Sequence, residues 1–226
     1  MSMYWILFIA VAVLSYVVQY SFQRKFKKAA ALPILNGMTG QEVAQKMLSD
    51  HGIRDVKVIS TRGQLTDNFN PTNHTVNLSE AVYNQNHVAA AAVAAHECGH
   101  AVQHATGYFP VKLRSAMVPV ISVTNQIVPF VLLGGMLLIN VFPQLIWVGI
   151  GLFALTTLFT FVTLPVEIDA SRRALAWLSQ SDIIDPSNED EARGALRAAA
   201  YTYVVAALSS LATLLYYLSI ASGRRN

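Results

Sequence analysis

Five consecutive residues, His96-Glu97-Cys98-Gly99-His100, carry the chemistry that this chain advertises. They sit in an alanine-rich run, 88–102, that reads as a helix. On a helix, His-Glu-x-x-His sets two imidazoles one turn apart on one face, where both can reach a single Zn²⁺. Glu97 lies on the same side but is offset, so it is predicted to hold the attacking water rather than the metal. A Zn²⁺ ion lowers the pKa of a bound water to about 7. Glu97 can then take its proton during attack on a carbonyl. The pattern alone also occurs on ordinary helices. The apolar surroundings argue against that reading, because ionisable groups there are costly without a partner. Gly99, a poor helix former, is read as leaving room above the metal. Cys98, the one cysteine of the chain, lies two positions from His96 and so points about 160° away around the helix. It is expected to be a small buried residue, and a single cysteine excludes an internal disulfide and Cys-rich metal clusters.

A catalytic zinc site needs a third protein ligand. His104 continues the series but stands about 12 Å along the axis from His96, too far to share an ion whose bonds are about 2 Å long. A glycine break before the third histidine would solve this, but Gly107 follows His104. His104 is therefore a candidate for contact with substrate or with a ligand, against the plainer reading of a packed histidine. His51, His74 and His87 lie alone in polar loops, and no role is assigned to them. The better third ligand is Glu167, in Pro165-Val166-Glu167-Ile168-Asp169-Ala170-Ser171-Arg172-Arg173. Acidic groups at the very end of an apolar run invite a functional reading. Asp169 is the competitor and is assigned to orienting a histidine N–H. The plainer alternative for both is a solvated helix end paired with Arg172 or Arg173.

The elements that must position these groups are membrane helices. Of 226 residues, 54% are hydrophobic and 13% charged, against about 25% charged in soluble domains; mean hydropathy is +0.41. Residues 3–22, 118–142, 145–166 and 198–221 are four apolar runs of spanning length. The first has no preceding charge and no small-residue cleavage site, so it is read as an uncleaved anchor, not a signal peptide. Parity then matters. Two crossings separate His100 from Glu167, so both are predicted on one side. Ten basic residues flanking the runs, Arg24, Lys25, Lys27, Lys28, Lys112, Arg114, Arg172, Arg173, Arg193 and Arg197, fall on that side, against Arg224 and Arg225 on the other. The positive-inside rule makes it the cytoplasmic face. The net charge of +3 forms no basic stripe, so nucleic acid is not expected as a partner.

Between the first two runs, Thr39 to Glu42 has capping-box spacing and opens a helix to about Asp50. Residues 56–60 and 75–78 alternate like strands, separated by turn formers from Asp67 to Asn73. They are predicted to pair as a β-hairpin that feeds the metal helix, and an extended substrate can add to such an edge. The expected fold is thus an α+β membrane protein. It has about four transmembrane helices and a small zincin-like cytoplasmic domain, comprising a short β-hairpin or sheet and the HExxH helix. The division is an anchor (1–23), a catalytic part (24–115), a transmembrane hairpin (116–166), a third-ligand helix with its loop (167–197) and a last span (198–222).

Four stretches carry a resemblance: 65–71 (Leu65 to Pro71), 76–83 (Val76 to Tyr83), 94–104 (Ala94 to His104) and 164–174 (Leu164 to Ala174). In order and spacing the chain resembles the YugP-like neutral zinc metallopeptidases of bacterial membranes. The resemblance implies an integral, multi-pass protein of the bacterial cell membrane, with His96, His100 and Glu167 as ligands to one Zn²⁺ and Glu97 as the catalytic residue. The layout is also similar to HtpX-type and CAAX-prenyl proteases, which carry an Asp four residues after the ligand Glu. Here that position is Ser171, so the Asp's role does not transfer to it.

The function expected is hydrolysis of peptide bonds in protein or peptide substrates. An oxyanion stabiliser is also required, and Tyr108, His104 and Arg172 are the candidates. Two other readings compete with it. An intramembrane-cleaving metalloprotease would need the motif inside a spanning helix, and the apolar run 88–102 is short for that. A zinc-stabilised scaffold or partner-binding protein would close four positions with protein ligands, and only three good ones are visible.

Overall fold

The computed structural model describes residues 3–34, 36–63 and 65–223; the opposing charges Arg224 and Arg225 lie outside them. The order is α1 (Met3–Ala30), α2 (Gly40–Asp50), β1 (Lys57–Thr61), β2 (Asn68–Asn70), β3 (Thr75–Ser79), α3 (Glu80–Tyr83), α4 (Val88–Ala105), α5 (Phe109–Leu137), α6 (Gln144–Gln180) and α7 (Glu189–Ser222). A single 3₁₀ turn, Pro186–Asn188, precedes α7.

Among the described residues four helices, α1, α5, α6 and α7, are long and apolar enough to cross a membrane, and α4 is not among them. Their lengths exceed what a bilayer needs. The 37 residues of α6 rise about 55 Å, against a hydrocarbon core of about 30 Å. The surplus carries Glu167, Asp169 and Ser171 beyond the apolar stretch without interrupting the helix. Pro119 and Pro129 lie inside α5 and Pro165 inside α6, and none of them ends its helix. The α5–α6 hairpin closes tightly: a Cβ on Gly135 would stand 2.7 Å from the Ile146 Cα. Small residues allow such backbone approach between apolar helices.

The rest packs around α4. Val43, Met47, Leu78, Val88, Leu178 and Ile183 are buried with the alanines of α4 in one cluster. The expected capping box is present at α2: Thr39 Oγ1 accepts from the Glu42 N–H, and the Thr39 N–H donates back to Glu42 Oε2 at 2.7 Å. The start of α4 is fixed differently. His87 Nδ1 accepts from the Ala90 N–H at 3.0 Å, so a histidine to which the sequence assigns no role is the N-cap of α4. The helix ends at Thr106, followed by Gly107 at φ +67°.

The predicted hairpin is corrected. β1 and β3 are neighbours but run parallel, Lys57 opposite Thr75 and Thr61 opposite Ser79. The hairpin is β2–β3, with Asn68 opposite Asn77, giving the order β1-β3-β2. Three residues, Asn-Phe-Asn, are too short and too rich in turn formers to show strand alternation. The tight turn begins after them, where Asn70 Oδ1 accepts from the Thr72 and Asn73 N–H groups.

Candidate metal centre

α4 presents His96 and His100 on one face, and α6 crosses it at Gly99. A Cβ at Gly99 would lie 2.6 Å from the Ala170 carbonyl oxygen. Glycine is thus needed for the two backbones to touch. The expectation that Gly99 leaves room above the metal is replaced by this contact. It brings in the residues around Ala170. Glu167 Oε2 stands 3.2 Å from His96 Nε2 and 3.5 Å from His100 Nε2. One ligand atom from each residue falls in a group spanning no more than 4.8 Å. Cys98 points away, its Sγ 3.5 Å from the Ala44 carbonyl.

The outer imidazole nitrogens are engaged elsewhere. His96 Nδ1 lies 3.1 Å from Ser171 Oγ, and His100 Nδ1 lies 3.0 Å from Gln103 Oε1. Gln103 is fully buried. Its Nε2 donates to the Val166 carbonyl at 2.8 Å and to Asp169 Oδ2 at 3.0 Å. Asp169 in turn accepts from Arg172 and Arg173. The tautomer that donates Nδ1–H to these oxygens is the one that turns both Nε2 lone pairs towards Glu167, as metal ligation requires.

This donor set fits a zinc ion. Two imidazoles and a carboxylate are the ligand count of a catalytic site with one open position. The Glu167 side chain is 4% exposed, and its nearest arginine, Arg114, stops at 3.9 Å. A carboxylate so deeply buried calls for a cation. Glu97, 9% exposed, makes no hydrogen bond with any described residue and lines the cavities on both sides of the ligand group. Burial pushes its pKa up, partly countered by the two imidazoles. Burial alone would lower His100, but its hydrogen bond to Glu167 and the nearby carboxylates outweigh that and leave it raised.

The remaining expected residues divide. His104 lines the polar cavity with the ligand group, its ring 5.8 Å from Phe69 and 6.1 Å from His74. Asp169 reaches a histidine only through Gln103. Arg172 is largely exposed and bound to Asp169, and Tyr108 lies under the Arg173 guanidinium at 5.7 Å. Neither of these two lines a cavity at the centre. Sequence reasoning missed Gln103, Ser171, Arg114 and Tyr203. Tyr203 lines both cavities, and Arg114 lines the polar one. Gln103 had a signal: a buried amide three residues after His100 on an apolar helix. Tyr203 had none, being one aromatic residue in an apolar run.

Residues 4–222 match the family described as "Putative neutral zinc metallopeptidase". The chain is 40% identical over 212 residues to the protein named "Putative membrane protease YugP" of Bacillus subtilis (strain 168), covering 94% of this chain and 93% of that one. No solved structure matches. A family match over almost the whole length, with a relative this similar from end to end, means that the chain belongs to this zinc metallopeptidase family.

Proposed function

We propose that this protein is a membrane-bound zinc metallopeptidase that hydrolyses peptide bonds of protein or peptide substrates. His96, His100 and Glu167 would hold one Zn²⁺. The observation that carries the reading is the convergence of two Nε2 atoms and one buried carboxylate beside a second carboxylate, Glu97, that has no hydrogen-bond partner among the described residues. When bound, the ion polarises the scissile carbonyl and acidifies a water molecule. Glu97 takes a proton as the water oxygen bonds to the carbonyl carbon. It delivers that proton to the amine nitrogen as the C–N bond breaks. The Tyr203 hydroxyl and the Arg114 guanidinium line the same space and can face a developing oxyanion. Ser171 and the Gln103–Asp169 pair orient the imidazoles. His104 stands where it can meet substrate.

An extended substrate would add to the outer edge of β2, which pairs on its other side with β3. Asn68 and Phe69 of β2 line the cavity with the ligand group, and main-chain pairing of this kind holds peptides without demanding one sequence. The zincin-like part, 24–115, and the third-ligand helix, 167–197, form one catalytic unit on the cytoplasmic face. Spans at 1–23, 116–166 and 198–222 anchor it. The positive-inside bias supports that side. The test is a Glu97→Gln protein: it should keep its zinc and lose cleavage of casein. Cleavage at the wild-type rate would refute the proposal.

A further inference from the structure

The proposed chemistry leaves one sizeable cavity unused. It lies between α6 and α7 and holds about 470 Å³, a size within the range of small-ligand sites. None of the three residues of the ligand group lines it. It carries three arginines, Arg172, Arg193 and Arg197, and no carboxylate among the described residues. Arg172 and Arg193 each bind one carboxylate that stands outside the cavity, Asp169 and Glu189, which leaves most of their five N–H donors free. Arg197 is exposed and makes no hydrogen bond or ion pair with any described residue. The helices fix the height of each group. Thr157 Oγ1 lies 2.8 Å from Ser210 Oγ, near the middle of the apolar runs 145–166 and 198–221, and a single 3₁₀ turn joins the far ends. The two helices therefore run antiparallel. Measured from that contact at about 1.5 Å per residue, the three arginines stand about 20–26 Å along the helices. Ile168, Tyr201 and Val204, which line the same cavity, stand about 9–17 Å along. The hydrocarbon of a bilayer ends about 15 Å from its middle. The arginines thus fall at headgroup height and the other three at the top of the acyl chains.

We infer that this cavity binds one anionic phospholipid, its phosphate held by the arginines and an acyl chain lying against Ile168, Tyr201 and Val204. Guanidinium forks match phosphate oxygens, and basic pockets between spanning helices suit anionic headgroups. A tyrosine at this height suits the boundary between headgroup and chain. Ile168 is 51% and Tyr201 52% exposed, so both offer surface for a chain to cover. A free phosphate would satisfy the arginines and leave that surface bare. A zwitterionic lipid would bring a cation of its own against three others. The inference needs only that α6 and α7 cross a membrane, as their length and composition permit, and is independent of the peptidase reading.

The test titrates full-length protein in neutral detergent with phosphatidylglycerol or with phosphatidylcholine of the same chains. Native mass spectrometry counts the lipids retained. One phosphatidylglycerol per chain should be held about tenfold or more tighter than phosphatidylcholine. Arg193→Gln with Arg197→Gln should weaken it by about tenfold or more. Arg197→Gln alone, which breaks no contact with a described residue, should weaken it about fivefold. Arg24→Gln with Lys25→Gln, which removes as much charge from the end of the first apolar run, should leave it unchanged. An excess of inorganic phosphate should not displace the lipid. Equal retention of the two lipids overturns the inference, as does wild-type affinity in Arg197→Gln. An equal loss in the two double variants would show diffuse surface charge instead of a site. Displacement by phosphate would show an anion site that makes no use of the acyl chain. Either of these results also overturns it.

Discussion

Substituting Gly99 by alanine separates two physical accounts of one position. In isolation the change should stabilise α4, since alanine is about 1 kcal/mol better than glycine in a helix. The packing says otherwise. The new Cβ would sit 2.6 Å from the Ala170 carbonyl oxygen, where ordinary contact starts at 3.4 Å. The Cβ is fixed by the α4 backbone and the oxygen belongs to the α6 backbone, so neither can swing aside, and α6 must retreat by about 0.8 Å. Overpacking of this kind costs about 1–3 kcal/mol, which cancels or exceeds the gain in propensity. The larger effect falls on the metal. Glu167 and Ser171 flank Ala170, so the third ligand and the group on His96 Nδ1 move together. Zinc–ligand distances tolerate only about 0.2 Å. The expected result is zinc affinity about 10–100-fold weaker, read by chelator competition on protein in detergent. The apo protein should melt no higher than wild type. Unchanged zinc affinity with a higher melting point would show that propensity governs Gly99 and that the α4–α6 contact does not position the ligand.

Three further predictions follow from the groups around the centre. Gln103→Leu keeps the volume but removes the acceptor on His100 Nδ1 and one donor to Asp169, which keeps its two arginines; zinc affinity should fall about tenfold or more, measured by the same competition. Tyr203→Phe should keep zinc and lower kcat with little change in KM, by about 10–1,000-fold if its hydroxyl faces the oxyanion; a wild-type kcat would remove it from that role. His87 gives a pH dependence. Burial lowers its pKa, so the fold favours the neutral ring, whose Nδ1 caps α4. That stability is fully present above the unfolded value of about 6.5 and is lost as pH falls through the folded value below it. Wild type should therefore lose thermal stability between about pH 6.5 and 5 relative to His87→Asn, a cap that does not titrate. A constant difference across that range would contradict the assignment.

How much of this was legible in the sequence follows from the range of each signal. The pair His96 and His100 is local: a spacing of four on a helix fixes their common face. Glu167 is distant in sequence; counting crossings predicts it on the side of the two histidines, and the structure brings its carboxylate to 3.2 and 3.5 Å from their Nε2 atoms. The capping box at Thr39 was likewise local. What stayed hidden depends on which backbones touch. Gly99 reads as a flaw in a helix until Ala170 is laid against it. Ser171 gained its contact with His96 from that same crossing. The parallel pairing of β1 with β3 was concealed because β2 is three residues long and composed of turn formers. Arg114 was counted as a topology charge, although its guanidinium reaches inward to 3.9 Å from Glu167.

The central claim concerns which atoms hold the ion, and X-ray absorption at the zinc edge of the purified protein tests it most directly. The account predicts about one zinc per chain, with nitrogen and oxygen neighbours only, at about 2.0–2.2 Å, and loss of that zinc in Glu167→Ala. A sulfur shell at about 2.3 Å, which Cys98, the one cysteine of the chain, could supply, or an unaltered spectrum in Glu167→Ala, would contradict it.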